Sequence, residues 1–413
     1  MKATARPPLN DAHREDVITC LEHLTVDIND RSVASDGNRA ATAYFEAQLA
    51  KYGWVTHAQW FDAMDWSGSR AELTSSDDVS FEVFPSPYSV GVRATGRLMV
   101  ASTIEDLERA DASGALLLLH GDIAREPLLP KNFPFFTVEE HQRIIAGLEN
   151  SGAAAIITAT AAESIIVGGA DPAPMIEDGD FNVPSVFLAE EECDRLLPLA
   201  GRQLTLVSEC HRIPGKAANI IGRINDGAAR RIVITAHIDA KKNVPGALDN
   251  GTGVATLLLL SHMLSDHRGG FCIELVALNG EDHYAVPGQM AYMGANRDAS
   301  DTVALNINID GVGYVDGDTA YSFFDLPEDM KALAFAQLLS APDTCEGIQW
   351  PQGDHSMFVQ SGCPAVAVTS NWLLENMATQ TITHKANDAI DLVDPDKLVA
   401  CALDLKRFIE AMS

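Results

Sequence analysis

The chain has 413 residues, which is too long for one ordinary hydrophobic core and favours two domains. Its 46% hydrophobic and 21% charged residues are typical of a globular chain and exclude a disordered or fibrous one. The 58 Asp and Glu against 29 Lys and Arg leave a formal charge of −29, which would repel nucleic acid and anionic membranes, so we expect neither as a partner.

The N-terminal stretch, MKATARPPLNDAHRED, has no apolar run of the kind that forms a signal peptide. No other segment has the length of a membrane span. The seven cysteines are dispersed without a CxxC pair, which is typical of chains that keep reduced thiols. We therefore expect a cytoplasmic protein, while secretion by another route and the oligomeric state stay open.

Residues 13–53 show two helical patterns separated by a predicted turn at 36–38, and Gly53 ends the second one. From about 85 to 213, strand-like runs at 114–119, 153–158 and 183–188 alternate with helical stretches at 138–149 and 190–199. This segment lacks clustered His, Asp and Glu. We interpret it as a smaller α/β domain, residues 85–213, inserted into a main domain formed by 1–84 and 214–413.

The main domain alternates strands and helices in a regular way. Strands are predicted at 231–238, 271–278, 303–309 and 365–368, and helices at 251–264, from 288, at 330–339 and at 395–412. Such alternation predicts a three-layer αβα sandwich whose mixed sheet is mostly parallel. In folds of this class, ligand chemistry is found beyond the carboxyl ends of the strands.

Polar side chains follow the predicted strands where each one ends. His237 and Asp239 end the first strand, Glu281 and Asp282 follow the second, and Asp310 follows the third. Asp249 opens the helix after the first strand, and His384 lies in a later loop. Ionised groups beside apolar strands cost several kcal/mol unless they are paired or coordinated. The convergence of such residues on one sheet edge indicates a bound cation.

Two histidines and three carboxylates are nitrogen and oxygen ligands that suit Zn²⁺, and Mn²⁺ or Co²⁺ less selectively. Two metals about 3.5–4 Å apart need a bridging residue, and Asp249 is the candidate because it lies between the first two ligand-bearing strands. His237 and Asp239 share a strand face, so Asp239 can accept the second imidazole N–H. Of the adjacent Glu281 and Asp282, one can bind metal while the other takes a proton from water.

The residues form recognisable motifs: His237-x-Asp239, GALDNGTG at 246–253, NGED at 279–282, NID at 308–310 and Thr383-His384-x3-Asp388, together with DHSMF at 354–358 and SGCPA at 361–365. This set resembles the bacterial zinc aminopeptidase family, which also contains glutamate carboxypeptidase and shares its fold with glutaminyl cyclases. The resemblance covers about 215–413 and 13–60. The insert resembles, more loosely, a protease-associated domain through GALLLLHG, GAAAIIT and VPSVFL.

The resemblance implies two zinc ions per chain and a role for each site residue. His237 and Asp310 would hold one zinc, Asp282 and His384 the other, and Asp249 would bridge them. Glu281 would be the general base, and Asp239 would orient a metal-bound histidine. The resemblance also implies a cis peptide bond between Asp249 and Asn250.

Two further residues of the motifs are interpreted more plainly. Asp388 is expected to act as a loop residue behind the ligands rather than as a ligand, and His355 as a structural or rim residue. Some family members place a Tyr at or near the position before the last His, whereas this chain has Thr383 there and no Tyr after Tyr321. The donor that would stabilise an oxyanion is therefore unidentified.

We therefore expect an aminopeptidase that acts on peptides. A carboxypeptidase or dipeptidase would use the same metals, but it needs a cation for the substrate carboxylate, and Arg and Lys are sparse near the motifs. Two further functions stay open, which are glutaminyl cyclisation on one zinc and binding without catalysis. The 249–253 sequence and the insert favour a peptidase over a cyclase, and the full ligand set disfavours a protein that only binds.

Overall fold

The structure is a computed structural model that describes residues 6–28, 30–160 and 173–412. It divides into two compact units. The larger unit contains the described residues up to 63, residues 216–376 and those from 382 onward, and the smaller unit contains the described residues of 64–215 together with 377–381. The domain limits inferred from the sequence, with 85–213 as an insert resembling a protease-associated domain, stay predictions.

The described residues form the following α-helices: α1 Asp11–Glu22, α2 Asp36–Lys51, α3 Ile104–Arg109, α4 Glu139–Asn150, α5 Glu190–Leu196, α6 Thr252–Met263, α7 Pro287–Asn296, α8 Glu328–Leu338, α9 His355–Gln360, α10 Asn371–Asn376 and α11 Pro395–Met412. Two helical patterns before residue 53 are confirmed by α1 and α2. The turn predicted at 36–38 is wrong. The Ser35 hydroxyl accepts a hydrogen bond from the Asn38 amide at 3.0 Å, so these residues form the first turn of α2 behind an N-cap.

The strands are β1 Val55–Ser75, β2 Ser80–Phe81, β3 Phe84–Pro85, β4 Val92–Ala101, β5 Leu116–Leu119, β6 Ala155–Thr158, β7 Ser185–Phe187, β8 Gln203–Ile224, β9 Arg230–His237, β10 Phe271–Leu278, β11 Val303–Ile309, β12 Thr319–Phe324, β13 Thr344–Glu346 and β14 Ala365–Ser370. In the larger unit their order is β13-β12-β14-β11-β9-β10-β8. Strand β9 pairs in parallel with β10 and β11, and β11 pairs in parallel with β14. Strand β12 is antiparallel to β14, and β8 to β10.

Helices cover both faces of this sheet. Ile232 and Ile234 of β9 and Leu275 of β10 belong to the apolar core that also contains α6 and α11. On the other face, Tyr292 of α7 donates a hydrogen bond to Glu274 of β10 at 2.5 Å. Near-continuous burial along β9 and β10 is typical of parallel strands covered on both sides. The predicted fold class, a three-layer mixed α/β sandwich, is confirmed.

The smaller unit has its own mixed sheet, in which β4, β5, β6 and β7 are parallel neighbours and β3 runs antiparallel to β7. Alternate side chains of β5 serve two different cores. Leu117 and Leu119 pack with the α4 residue Ile144, whereas Leu116 and Leu118 pack with the α5 residue Leu196. In the described part of the whole chain, no helix has the length and apolar character needed to cross a bilayer.

Candidate metal centre

The site is built mainly from the carboxyl ends of β9, β10 and β11. His237 is the last residue of β9, and Asp310 directly follows β11. Glu281 and Asp282 follow β10 after a turn at Gly280, whose φ of +120° suits glycine because other residues rarely adopt it. Since β9 is the parallel neighbour of both other strands, the three ends meet at one edge of the sheet.

Two loops complete the site. Asp249 lies just before α6, and its peptide bond to Asn250 is cis, as predicted. The Asn250 side chain donates to the Ile309 carbonyl at 2.8 Å and accepts from the Gly253 amide at 2.9 Å, which ties this loop to the end of β11. His384 reaches the site from a loop in which its own φ is 62°. The structure thus brings all five predicted metal ligands to one place.

The five side chains form two clusters that share Asp249. His237 Nε2 lies 3.0 Å from Asp249 Oδ1 and 3.6 Å from Asp310 Oδ1. His384 Nε2 lies 3.1 Å from Asp249 Oδ2 and 3.0 Å from Asp282 Oδ1. In each cluster the three ligand atoms lie within 4.8 Å of one another. The two Asp249 oxygens therefore face different histidines.

These residues fit a divalent cation. His237 Nε2 and Asp282 Oδ2 are buried and lack a partner with hydrogen-bond geometry among the described residues. Burial lowers the pKa of His237, but the neighbouring Asp310 and Asp249 carboxylates outweigh burial and raise this pKa well above its usual range. Burial raises the pKa of the Asp249 carboxyl. The contacts with His237 and His384 outweigh burial and hold this pKa well below its usual range. Such an excess of negative charge is what a bound metal ion would balance.

Asp239 is fully buried and acts on two parts of the site. Its carboxylate accepts hydrogen bonds from the Gly280 amide at 2.6 Å and the Asp282 amide at 3.1 Å, which positions the loop after β10. The sequence predicts that this carboxylate accepts the His237 imidazole N–H. Instead, His237 Nδ1 lies 3.2 Å from the Asp239 carbonyl oxygen and 3.8 Å from the carboxylate. A carbonyl can only accept, so the contact places the proton on Nδ1 and leaves Nε2 free for a metal.

Asp388 lies behind the shared ligand. Its two carboxylate oxygens accept from the Leu248 amide at 2.7 Å and the Asp249 amide at 3.1 Å. Burial, helped by the charge of Asp249, raises the pKa of Asp388 to about 7. The side chain therefore holds the backbone of the Asp249 loop.

Glu281 is half-buried beside the two clusters. Burial raises the pKa of its carboxyl well above the usual range, and the nearby Asp282 and Asp310 act in the same direction. His237 opposes the shift of this pKa. A carboxylate with a raised pKa takes up a proton more readily than an ordinary glutamate does, which suits the role of a general base.

Sequence analysis assigned no role to two buried groups around the site. Asp354 accepts a hydrogen bond from Gln289 through one oxygen, while its other oxygen has no partner among the described residues. Burial raises the pKa of Asp354 to about 7, and Asp310 and Asp239 add to the effect. The second group is Arg31, which donates to backbone carbonyls in the connection between β9 and α6. The DHSMF motif pointed to Asp354, whereas nothing near Arg31 marked it.

The motif histidine, His355, is buried and lies 2.9 Å from the Trp350 carbonyl through Nε2.

Residues 219–409 match the family model described as Peptidase family M28. The matched segment includes every predicted site residue. The relative LpqL, a probable lipoprotein aminopeptidase of Mycobacterium tuberculosis (strain ATCC 25618 / H37Rv), is 24% identical over 292 residues. That alignment covers 68% of this chain and 54% of LpqL, so the chain spans about half the length of this relative.

Two solved structures show the likeness of the fold. The aminopeptidase from Aneurinibacillus sp. strain AM-1 has a TM-score of 0.73 at 20% identity, covering 96% of this chain and 93% of that one. BSAP, a zinc aminopeptidase from Bacillus subtilis, has a TM-score of 0.74 at 18% identity, covering 97% and 94%. At such identities the likeness concerns the fold, so activity has to be argued from the site.

Proposed function

We propose that the protein is a zinc-dependent exopeptidase, and specifically an aminopeptidase that removes N-terminal residues from peptides with two zinc ions per chain. His237 and Asp310 would hold one ion, Asp282 and His384 the other, and Asp249 both. The match of residues 219–409 to the Peptidase family M28 model supports the reaction class. The similarity of the fold to BSAP, a zinc aminopeptidase, supports the choice of metal.

One observation carries the proposal, which is the orientation of Asp249. Its two oxygens lie 3.0 and 3.1 Å from the Nε2 atoms of two different histidines. Each histidine also has a second carboxylate neighbour of its own. A single-metal site would not need a carboxylate shared in this way, whereas a pair of ions held by one bridging residue would.

The chain's own residues would divide the work of hydrolysis among them. When bound, a zinc pair lowers the pKa of a water molecule and polarises the carbonyl group of the substrate. Glu281 would take the proton from that water and return it to the leaving amine. The Asp239 carbonyl would keep the proton of His237 on Nδ1, and Asp388 would hold the Asp249 loop.

The charge of the site favours a substrate with a free amino group. The carboxylates at the sheet edge would attract the ammonium group of a peptide N-terminus. The nearby cation Lys241 already donates to the Asp282 carbonyl at 2.8 Å, so it is engaged with the site loop. A carboxypeptidase would instead need a cation directed at the substrate carboxylate.

The test is hydrolysis of aminoacyl-anilides and of matched N-acetylated anilides by the full chain. We expect cleavage of the free-amine substrates only, loss of cleavage with a chelator, and recovery with Zn²⁺ or Co²⁺. Cleavage of N-blocked peptides from the carboxyl end would identify a carboxypeptidase instead. Full activity in protein that elemental analysis shows to be free of transition metal would refute the proposal.

A further inference from the structure

Arg31 is a buried arginine with an unusual set of partners. Its side chain is 1% exposed, yet its guanidinium donates hydrogen bonds to neutral carbonyl oxygens rather than to a carboxylate of the described residues. Nε donates to Ile238 at 3.0 Å, Nη1 to Leu24 and Pro245 at 2.7 Å each, and Nη2 to Gly246 at 2.8 Å. Because a buried charge is costly without a paired charge, this arrangement requires an explanation beyond packing.

Three of these carbonyls belong to the connection between β9 and α6, which runs from His237 to Asp249. Ile238 lies between His237 and Asp239, and Gly246 lies three residues before Asp249. Gly246 has a φ of +61°, and a Cβ there would lie 2.9 Å from Arg31 Nη2 and 2.6 Å from the Asp249 carbonyl oxygen. Glycine at this position therefore allows the guanidinium to approach the loop. One planar group ties together the backbones beside both ligands.

The same N-terminal segment also contacts the loop that carries Glu281. The Arg31 carbonyl accepts from the Asn38 side chain at 2.9 Å. Asn38 and Asn279 exchange two amide hydrogen bonds, each of 2.9 Å, and Asn279 precedes Glu281 by two residues. Residues 31–38 thus contact the connection between β9 and α6 and the loop after β10.

The charge of Arg31 faces an acidic environment. The carboxylates of Asp388, Asp239, Asp249 and Asp282 all attract the guanidinium. Arginine stays protonated in proteins, so this positive charge is permanent. It offsets part of the repulsion among the carboxylates while no metal is bound.

We propose that Arg31 is a positioning residue that holds the main chain beside His237 and Asp249 in the zinc-binding arrangement before zinc binds. The inference rests on the proposed function. Its planar fork reaches carbonyls at both ends of the connection between β9 and α6 at once, which the single ammonium group of lysine cannot reproduce. Residues behind metal ligands typically contribute about 10- to 100-fold to metal affinity.

Arg231 provides a matched control. It is a second buried arginine, placed at the opposite end of β9 from His237. It donates to Glu274 at 3.1 Å and to Asn296 at 2.8 Å, and Glu274 keeps a 2.6 Å contact with Arg223. Replacing Arg231 disturbs β9, which is the strand that ends in His237, and it disturbs the same unit that contains Arg31. It removes no contact with the site loops.

The experiment measures the zinc dissociation constant of the full chain by competition with a chromophoric chelator. It compares wild type with Arg31→Met, Arg31→Lys and Arg231→Met, each below its melting temperature. We expect Arg31→Met to weaken zinc binding by about 10- to 100-fold, Arg31→Lys to weaken it by a smaller factor, and Arg231→Met to leave it unchanged. If Arg31→Met does not fold, the comparison of Arg31→Lys with Arg231→Lys replaces it.

Two results would overturn the inference: wild-type zinc affinity in the Arg31 variants, or an equal loss in the Arg231 control. The second would show that the effect comes from lower stability of the unit as a whole. If wild type itself binds no zinc, the proposed function fails instead, so the two failures are distinguishable.

Discussion

The two units build similar parallel strands and end them with different residues. In the smaller unit, β5 and β6 are buried at every position, and they are followed by His120 and Ala159. In the larger unit, β9 ends in His237 and β11 is followed by Asp310. Among the described residues, the groups able to hold a metal all lie in the larger unit. The comparison shows that this architecture supplies a sheet edge, while the residues at the strand ends decide whether it carries chemistry.

The larger unit should lose most of its zinc binding and activity when the shared ligand, Asp249, is removed. Asp249→Ala deletes the carboxylate that lies next to both histidines, so we expect it to lower zinc affinity by more than the ~10²-fold seen for residues behind ligands and to abolish measurable hydrolysis. Elemental analysis after dialysis and an anilide assay would check this. Asp249→Ala protein that retains two zinc ions would show that Asp249 does not bridge them.

The general base can be separated from the ligands by a change that keeps shape and removes charge. Glu281→Gln should retain zinc and the fold and lose at least about 10²-fold in kcat, because the amide cannot take a proton from water. Zinc content and circular dichroism serve as controls. A variant that cleaves at close to the wild-type rate would mean that another group is the base.

A pair of matched aspartates compares the two units directly. Asp388 in the larger unit and Asp178 in the smaller one are both buried and each accept two backbone N–H bonds. Asp388→Asn leaves one N–H of the Asp249 loop unsatisfied, so we expect about 10-fold weaker zinc binding. Asp178→Asn should lower only the stability of the smaller unit. Zinc competition and thermal melting of both variants test this expectation. Equal zinc affinities in the two variants would contradict it.

The smallest expected effect on activity comes from a core change in the smaller unit. Leu118 is fully buried in β5, so Leu118→Ala should lower the free energy of unfolding by about 2–5 kcal/mol through a cavity. Below the melting temperature, kcat and zinc affinity should stay at wild-type values. A fall in either one in fully folded protein would show that the smaller unit takes part in the site.

Local patterns in the sequence determined much of the larger unit. Apolar runs that end in His237 or Asp310 predict buried strands with ligands at their ends, and the structure has β9 and β11 there. Strand β12, Thr319–Phe324, is absent from the predicted strands because its sequence, TAYSFF, mixes polar and aromatic residues without a clear period. The tertiary structure nevertheless buries every position of this strand between β14 and β13. The alternation of strands and helices was enough to predict the fold class, whereas β12 could be recognised only from its pairing with β13 and β14.

The inner details of the site were decided by tertiary structure. A sequence marks Asp239 as a partner of His237, but only the folded loops make its carbonyl, rather than its carboxylate, the acceptor. Arg31 lies 207 residues from Ile238 along the chain, so no local pattern could connect them. The sequence itself gives the residue types, and its short-range periodicity predicts where the strands end. The direction of each hydrogen bond depends on contacts between distant segments, which exist only after the chain has folded.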